Sequence, residues 1–442
     1  MIFKTVYKEL PTAVMFGYNS LHRVRQTGFA LGKTGLDWIL GDRPAPPVLM
    51  RRAFERMGAT YIKIGQLIAS SPSLFPEIYV REFQRCLDQT IPVPFKHMEK
   101  ILKKELGPGY MKDIFAKINP VPLASASIAQ VYAARLVTGE DVVIKIQRPG
   151  VKDILVTDLN FLFIAANILE RIMPAFKHAS LVGMLSEIRK TVLEECDFIK
   201  EAENIEIFSK FLENTKNKKV VTPRVYYRAT SPRVLTMERL HGIPLTDREQ
   251  FLKSTDQPQK ILGAAFETWL KSISGCELFH ADLHAGNIMI LDDGRVGFID
   301  FGIVGRISKK TQDGVNSLIK SMMMYDYKSM AESMLIIGMT RNKVDTDQLA
   351  KDLEAFYLAG ESLITDPLSD SLPDLSEPEQ SLMEIVRIAE VHGIRFPREF
   401  TLLLKQFLYF DSYGEMLFDL SDDFMEGIMA KMEKFDYLDL LE

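Results

Sequence analysis

The stretch from Phe279 to Gly302, FHADLHAGNIMILDDGRVGFIDFG, constrains this chain more than any other. The runs Asn287–Leu291 and Arg295–Asp300 are apolar in their interiors, with Asp293-Gly294 between them. An Asp-Gly pair between two apolar runs predicts a two-residue hairpin, because Gly accepts the positive φ such a turn requires. A hairpin brings its outer ends together. Asp282 and Asn287 lie at one end and Asp300 with Gly302 at the other, so the pattern predicts that these polar groups converge.

Two carboxylates and an amide oxygen suit a hard cation such as Mg²⁺, which takes oxygen ligands and leaves positions for phosphate. The spacing sharpens the reading. Kinase catalytic loops run HRDxxxxN, followed by a DFG whose Asp holds Mg²⁺. His280, Asp282 and Asn287 hold the corresponding places here, with Ala281 where Arg is usual, and Asp300-Phe301-Gly302 is a literal DFG. Two other readings stand beside it. One is a polar turn in an ordinary hairpin. The other is a transition-metal cluster of His280, Asp282 and His284, which leaves Asn287 and the DFG unexplained.

A chain of 442 residues accommodates two or three domains, or one two-lobed domain with an extension. The net charge of −5 gives no pointer to nucleic acid. Cys86, Cys196 and Cys276 are far apart and form no metal or disulfide pattern, as expected in a reducing compartment. No secretory signal, transit peptide or membrane span is expected: Leu159–Leu169 is the nearest apolar run, and it is too short.

Four segments are expected in chain order. Residues 1–47 form a helical arm, Met1 to Leu40, and a Pro-rich break from Gly41 to Pro47. The arm carries Lys4, Lys8, Arg23, Arg25 and Lys33 against Glu9 and Asp37. It suits an anionic membrane surface or packing on the domain. Residues 48–118 form a helical extension, with one helix over Val48–Ser70 followed by helices over Pro76–Leu87 and Pro94–Leu106. The first of these holds Lys63-Ile-Gly-Gln66, and Lys63 and Gln66 share a face. On sequence alone that pair also reads as two solvated side chains. Residues 119–240 open with a strand over Pro122–Ala134, a turn at Thr138–Glu140 and a strand over Val142–Gln147. The first strand carries the small residues Ala124, Ser125, Ala126, Ser127 and Ala129; the second carries Lys145. A long acidic helix is expected over Ser180–Phe211, then strands over Pro223–Tyr227 and Val234–Glu238. A hinge follows, in which the backbone near Glu238 and Leu240 would read an adenine edge. Residues 241–442 are mostly helical, with a helix over Leu262–Gly275, helical sequence resuming near Lys309, an acidic loop over Thr365–Gln380 and a helix over Glu399–Tyr409. No APE follows the DFG.

The order KxGQ, Ala-rich loop, VxIK lysine, ExD and EAxN, HADxHxGN and DFG resembles the UbiB/ADCK family of atypical, protein-kinase-like proteins that carry the aarF domain. The resemblance runs from about Val48 to the C-terminus. It implies an α+β, two-lobed protein-kinase-like fold, with the helical KxGQ extension packed over the active site. It further implies that Ala124 to Ala129 form the nucleotide loop and that Lys145 contacts phosphate with Glu201 as its partner. Glu195 and Asp197 form the ExD motif facing Lys63 and Gln66, in a regulatory role. Asp282 stands at the catalytic aspartate, and Asn287 and Asp300 at the Mg²⁺ ligands. Two positions depart from the family pattern: Ser70-Ser-Pro-Ser73 stands where Thr-Arg-Pro-Asp is frequent, and Ala285 replaces a proline.

The family implies ATP or ADP with Mg²⁺, support of ubiquinone or isoprenoid-lipid synthesis, and ATPase or small-molecule kinase activity rather than protein phosphorylation. The expected partners are nucleotide, membrane lipid or quinone precursors, and lipid-biosynthesis proteins. The expected location is cytoplasmic, peripheral at the inner membrane face. A small-molecule phosphotransferase of aminoglycoside or choline kinase type, and a nucleotide-gated scaffold without catalysis, are the competing functions.

Overall fold

The computed structural model describes residues 32–33, 44–69, 77–83, 92–172, 181–340, 343–365 and 378–418. The arm expected over Met1–Leu40 lies outside them except for Gly32 and Lys33, and so does most of the acidic loop over Thr365–Gln380. The chain forms two compact units: residues 1–201 with 225–239, and residues 202–224 with 240–442.

In the first unit, α1 (Pro46–Met57) and α2 (Ala59–Ala69) replace the single helix expected over Val48–Ser70. Gly58 between them sits at φ +96°, which ends one helix and restarts the next. The apolar period runs on through the break, so hydrophobic spacing did not reveal it. Next come α3 (Glu77–Phe83), α4 (Phe95–Leu106) and the one-turn α5 (Tyr110–Asp113).

Strands β1 (Phe115–Ser125), β2 (Ala129–Leu136), β3 (Asp141–Gln147) and β5 (Val234–Glu238) form an antiparallel sheet in the order β1-β2-β3-β5. The single strand expected over Pro122–Ala134 is therefore two strands. Its small residues make the turn, closed by Ala126 N–H donating to Ala129 O at 2.9 Å. Along β3 the side chains alternate: Val142, Ile144 and Ile146 are fully buried with Tyr132, Phe115, and Met98 and Leu102 of α4. Burying each such side chain contributes about 1.5–3 kcal/mol. Lys145 points to the opposite face of the pleat. Helix α6 (Val151–Ile172) contains the apolar run Leu159–Leu169 and was not anticipated. The acidic helix expected over Ser180–Phe211 is broken into α7 (Leu181–Glu194) and α8 (Phe198–Asn214). Asp197 Oδ1 accepts from Ile199 N–H at 3.2 Å and so starts α8 afresh. Only a single bridge, Val225 to Met237, forms in the strand expected over Pro223–Tyr227, and Tyr227–Ala229 is a 3₁₀ turn.

In the second unit, β4 (Val220–Val221), β6 (Gly242–Pro244), β8 (Ile288–Leu291) and β9 (Val296–Phe298) form a sheet in the order β4-β9-β8-β6. Strands β7 (Phe279–His280) and β10 (Val304–Gly305) pair separately. Between β6 and β7 lie α9 (Arg248–Ser254) and α10 (Pro258–Gly275). After β10 come α11 (Lys309–Met323), α12 (Tyr327–Ile337), α13 (Thr346–Thr365), α14 (Pro378–Val391) and α15 (Arg398–Phe418). Strands β11 (Met339–Thr340) and β12 (Ile394–Arg395) form a two-stranded pair among these helices. Trp269 and Phe266 of α10 meet Phe407 and Phe410 of α15 ring to ring. No helix among the described residues is long and apolar enough to cross a membrane.

Candidate active site

In the first unit the site is built on the middle of β3. Lys145 pairs with Val131 on one side and Leu235 on the other, so its backbone is fixed by both neighbours. Its Nζ donates to Glu201 Oε1 at 2.8 Å and Oε2 at 3.0 Å, and lies 5.4 Å from the centre of the Phe198 ring. Both side chains are shielded, 14% and 3% exposed, so the pair draws little on water for its solvation. Glu201 is one turn into α8, the helix that Asp197 starts.

The turn of Ala126, Ser127 and Ile128 is held by a residue that sequence reasoning missed. Arg148 Nε donates to Ala126 O at 2.7 Å and Nη2 to Ser125 Oγ at 2.8 Å. The signal available was a lone Arg directly after the lysine strand, before Pro149-Gly150.

Lys63 Nζ lies 2.8 Å from Glu195 Oε2, which joins α2 to the break between α7 and α8. A second tie, not expected, is the buried bond from Thr60 Oγ1 to Asp158 Oδ2 at 2.6 Å, which fastens α2 to α6. Gln66 lies in α2, and its side chain is outside the described residues. Glu238 ends β5 opposite Val142, and its side chain is exposed. Leu240 belongs to the second unit, where its Cδ1 lies over Gly297.

In the second unit the hairpin forms as β8 and β9, with Ile288 opposite Phe298 and Ile290 opposite Val296. Its turn has three residues rather than two: Leu291 N–H donates to Arg295 O at 2.8 Å, and Gly294 takes φ +83°. That is a turn closed by a glycine bulge, which the Asp-Gly pair serves equally well. Ile299 N–H donates to Asn287 O at 3.0 Å, so Asn287 and Asp300 do lie at the same end of the hairpin. Asn287 Nδ2 donates to Asp282 O at 2.9 Å. The amide nitrogen is thereby committed, and Oδ1 is the atom of Asn287 with the chemistry of a cation ligand.

Among the described residues Asp300 is one of three non-glycine residues at positive φ, +60°, with Oδ1 accepting from Gly302 N–H at 3.3 Å. Such backbone costs on the order of 1–3 kcal/mol and clusters at functional sites. Phe301 is fully buried on Phe208 and His280. Its carbonyl accepts from Asn204 Nδ2 at 3.0 Å, while Arg306 Nη2 donates to Asn204 Oδ1 at 3.1 Å. Asn204 and Arg306, whose roles were not foreseen, thus fasten the DFG.

His280 has both ring nitrogens engaged. Nε2 donates to Ile299 O at 3.1 Å and Nδ1 accepts from Asp282 N–H at 3.1 Å. Complete burial holds its pKa down to about 4, so the ring is neutral. His284 Nδ1 accepts from Gly286 N–H at 3.0 Å. The transition-metal reading fails at His280, where a ring with both nitrogens engaged has no lone pair for a metal; His284 has only Nδ1 engaged and cannot make the three-ligand cluster without it. Among the described residues no three His, Cys, Asp or Glu side chains gather into a metal-holding group. The oxygens of Asn287 and Asp300, at one end of one hairpin, fit a hard cation that completes its shell with phosphate and water.

Asp282 has a partner that no local pattern announced. Lys405 Nζ of α15 donates to Asp282 Oδ1 at 2.9 Å.

The model for the ABC1 atypical kinase-like domain matches residues 85–334. An uncharacterized aarF domain-containing protein kinase, chloroplastic, of Arabidopsis thaliana is 46% identical over 388 residues, covering 84% of this chain and 72% of that protein. A probable protein kinase UbiB of Azotobacter vinelandii is 29% identical over 388 residues, covering 86% of this chain and 70% of that protein. The solved structure of Rv3197 with erythromycin, from Mycobacterium tuberculosis, matches with a TM-score of 0.53 at 21% identity, covering 80% of this chain and 91% of that one. At that identity the likeness shows the fold, which is α+β and kinase-like. With the lysine strand, the HADxHxGN loop and the DFG all within the matched span, the chain belongs to the ABC1 atypical kinase-like family, among relatives named aarF domain-containing kinase and UbiB.

Proposed function

We propose that the chain is an ATP-binding, Mg²⁺-dependent atypical kinase or ATPase that acts on or beside quinone and isoprenoid-lipid precursors at a membrane surface. The observation that carries this reading is the shielded Lys145–Glu201 pair at 2.8 Å on β3. An ammonium held in one place by a carboxylate is a preorganised partner for nucleotide phosphate, and its geometry costs nothing further when the ligand binds.

Asn287 and Asp300 would hold Mg²⁺, which supplies charge to the phosphates when bound. Asp282 orients the attacking hydroxyl or water and takes its proton. Arg148 keeps the Ala-Ser turn in shape, and small side chains there let backbone approach phosphate. The chain enters α11 at Lys309, soon after Gly302, which favours a small acceptor or water over a docked peptide. The lipid assignment extends what the family resemblance implies.

The test is Mg·ATP and Mg·ADP binding with phosphate release, with and without anionic liposomes and a phenolic quinone-precursor mimic, on wild type and Asp300→Asn. Turnover that rises with lipid and disappears in the variant is the expected result. Magnesium-dependent binding without turnover under any condition would favour a nucleotide-gated scaffold. Absence of nucleotide binding would overturn both.

A further inference from the structure

The loop carrying Asp282 runs Asp282-Leu-His-Ala-Gly-Asn287 and holds no lysine or arginine. Position 281, where the kinase pattern has Arg, is a fully buried alanine. A cation reaches Asp282 nevertheless, from 123 residues away, because α15 places Lys405 Nζ 2.9 Å from Oδ1. The lysine side chain is 16% exposed and lies 5.1 Å from the centre of the Tyr409 ring. Burial alone would lower its pKa; the negative charge of Asp282 and the Tyr409 hydroxyl outweigh that, and the group stays an ammonium.

The same helix also fastens the loop without charge. Gln406 Oε1 accepts from Leu283 N–H at 2.7 Å, and Nε2 donates to Ala281 O at 2.8 Å. The Tyr413 hydroxyl donates to Leu283 O at 2.7 Å. These neutral bonds fix the backbone on both sides of Asp282. Shielding an ammonium from water is unfavourable unless its charge is used. A lysine added to a loop already tied down is explained by what its charge does to the carboxylate.

We propose that Lys405 is a positioning residue for phosphoryl transfer. It gives Asp282 a fixed cation at Oδ1, where the loop's own candidate, His284, keeps its Nε2 3.9 Å from Oδ2, and so presents Oδ2 to the nucleophile in one orientation. This rests on the kinase or ATPase reading above. In the step it serves, the oxygen of a hydroxyl or water bonds to the terminal phosphorus of ATP. The bridging P–O bond breaks with its electron pair going to ADP, and the proton passes to Asp282 Oδ2. Lys405 acts through Asp282 and touches neither nucleotide nor acceptor.

The experiment measures kcat and the Mg·ATP Kd for wild type, Lys405→Met, Lys405→Arg, Asp282→Asn and the Lys405→Met/Asp282→Asn double variant. Thermal melts accompany each. Lys405→Met should lower kcat about 10²-fold, within the range for general acid–base positioning, while Kd changes less than about threefold. Lys405→Arg should restore most of the rate. The double variant should be no slower than Asp282→Asn alone, because two groups acting through one step are not additive. A purely structural lysine would give losses that multiply in the double variant, and that result would overturn the proposal. So would a Lys405→Met enzyme as fast as wild type. If Lys405→Met does not fold, Lys405→Gln, which keeps a donor without the charge, carries the same comparison. A wild type with no turnover at all would overturn the kinase or ATPase reading and this proposal with it; normal wild-type turnover with an indifferent Lys405 overturns this proposal alone.

Discussion

Glu201 is the less exposed member of its ion pair, at 3% against 14% for Lys145. Removing its charge therefore takes a carboxylate partner from an ammonium that water reaches poorly. Glu201→Gln is expected to destabilise the first unit by about 3–5 kcal/mol, the range for breaking a buried pair, and to weaken Mg·ATP binding. Urea unfolding and calorimetric titration read the two effects separately. His280 provides a pH signature. Its pKa falls from the ordinary 6.5 to about 4 in the folded chain. The unfolded state then binds the extra proton between those values, so stability is full above pH 6.5 and declines as the pH falls toward 4. By pH 5 the loss attributable to this ring is about 2 kcal/mol. Urea midpoints at neutral pH and pH 5 should show a steeper acid loss for wild type than for His280→Gln. Equal slopes would mean that the ring is not buried neutral.

Among the elements, the break at Gly58 invites the simplest test. Nothing lies within 4 Å of a Cβ added there, so Gly58→Ala changes the backbone energy alone. At φ +96° the expected cost is about 1–3 kcal/mol, visible as a lower melting temperature with the Lys145 site unchanged. The elements also show what could be read from sequence and what could not. The β8–β9 hairpin was legible because both strands and the turn are encoded within a few residues. The lysine strand was legible for the same reason; the fold class came with the family resemblance that the ordered motifs carry. Breaks inside periodic helices were not legible: the apolar spacing of α1 and α2 runs straight through Gly58, and the acidic stretch of α7 and α8 hides the stop at Cys196. Helix α6 went unanticipated because its apolar run, judged against membrane length, looked like a failed span rather than a packed helix. The tie from Lys405 to Asp282 could not be seen at all, because two residues 123 apart share no local pattern. Arg148 lay beside a recognised motif and Asn204 closes the EAxN motif itself, and only the carbonyls they hold, known from the fold, gave them a role.

For the whole molecule, the net charge of −5 opposes adsorption to an anionic membrane, so the basic residues before the Pro-rich break would have to act locally. If these residues make the proposed membrane contact, deletion of residues 1–43 abolishes sedimentation with phosphatidylserine vesicles and leaves the Mg·ATP Kd unchanged. Retained sedimentation would move the contact elsewhere in the chain. The two compact units are not consecutive in sequence. The chain passes from one to the other after Glu201, returns after Arg224 and leaves again after Arg239. A fragment ending at Glu201 would lack β5, and with it the strand that flanks Lys145 on one side. No single cut separates the two units: a cut after Arg239 keeps the first unit whole but takes residues 202–224 from the second, so recombination at one crossover point cannot exchange one of them and leave the other complete. Exchanging the second unit with another chain would therefore need two separate segments, residues 202–224 and 240–442, to be carried over together.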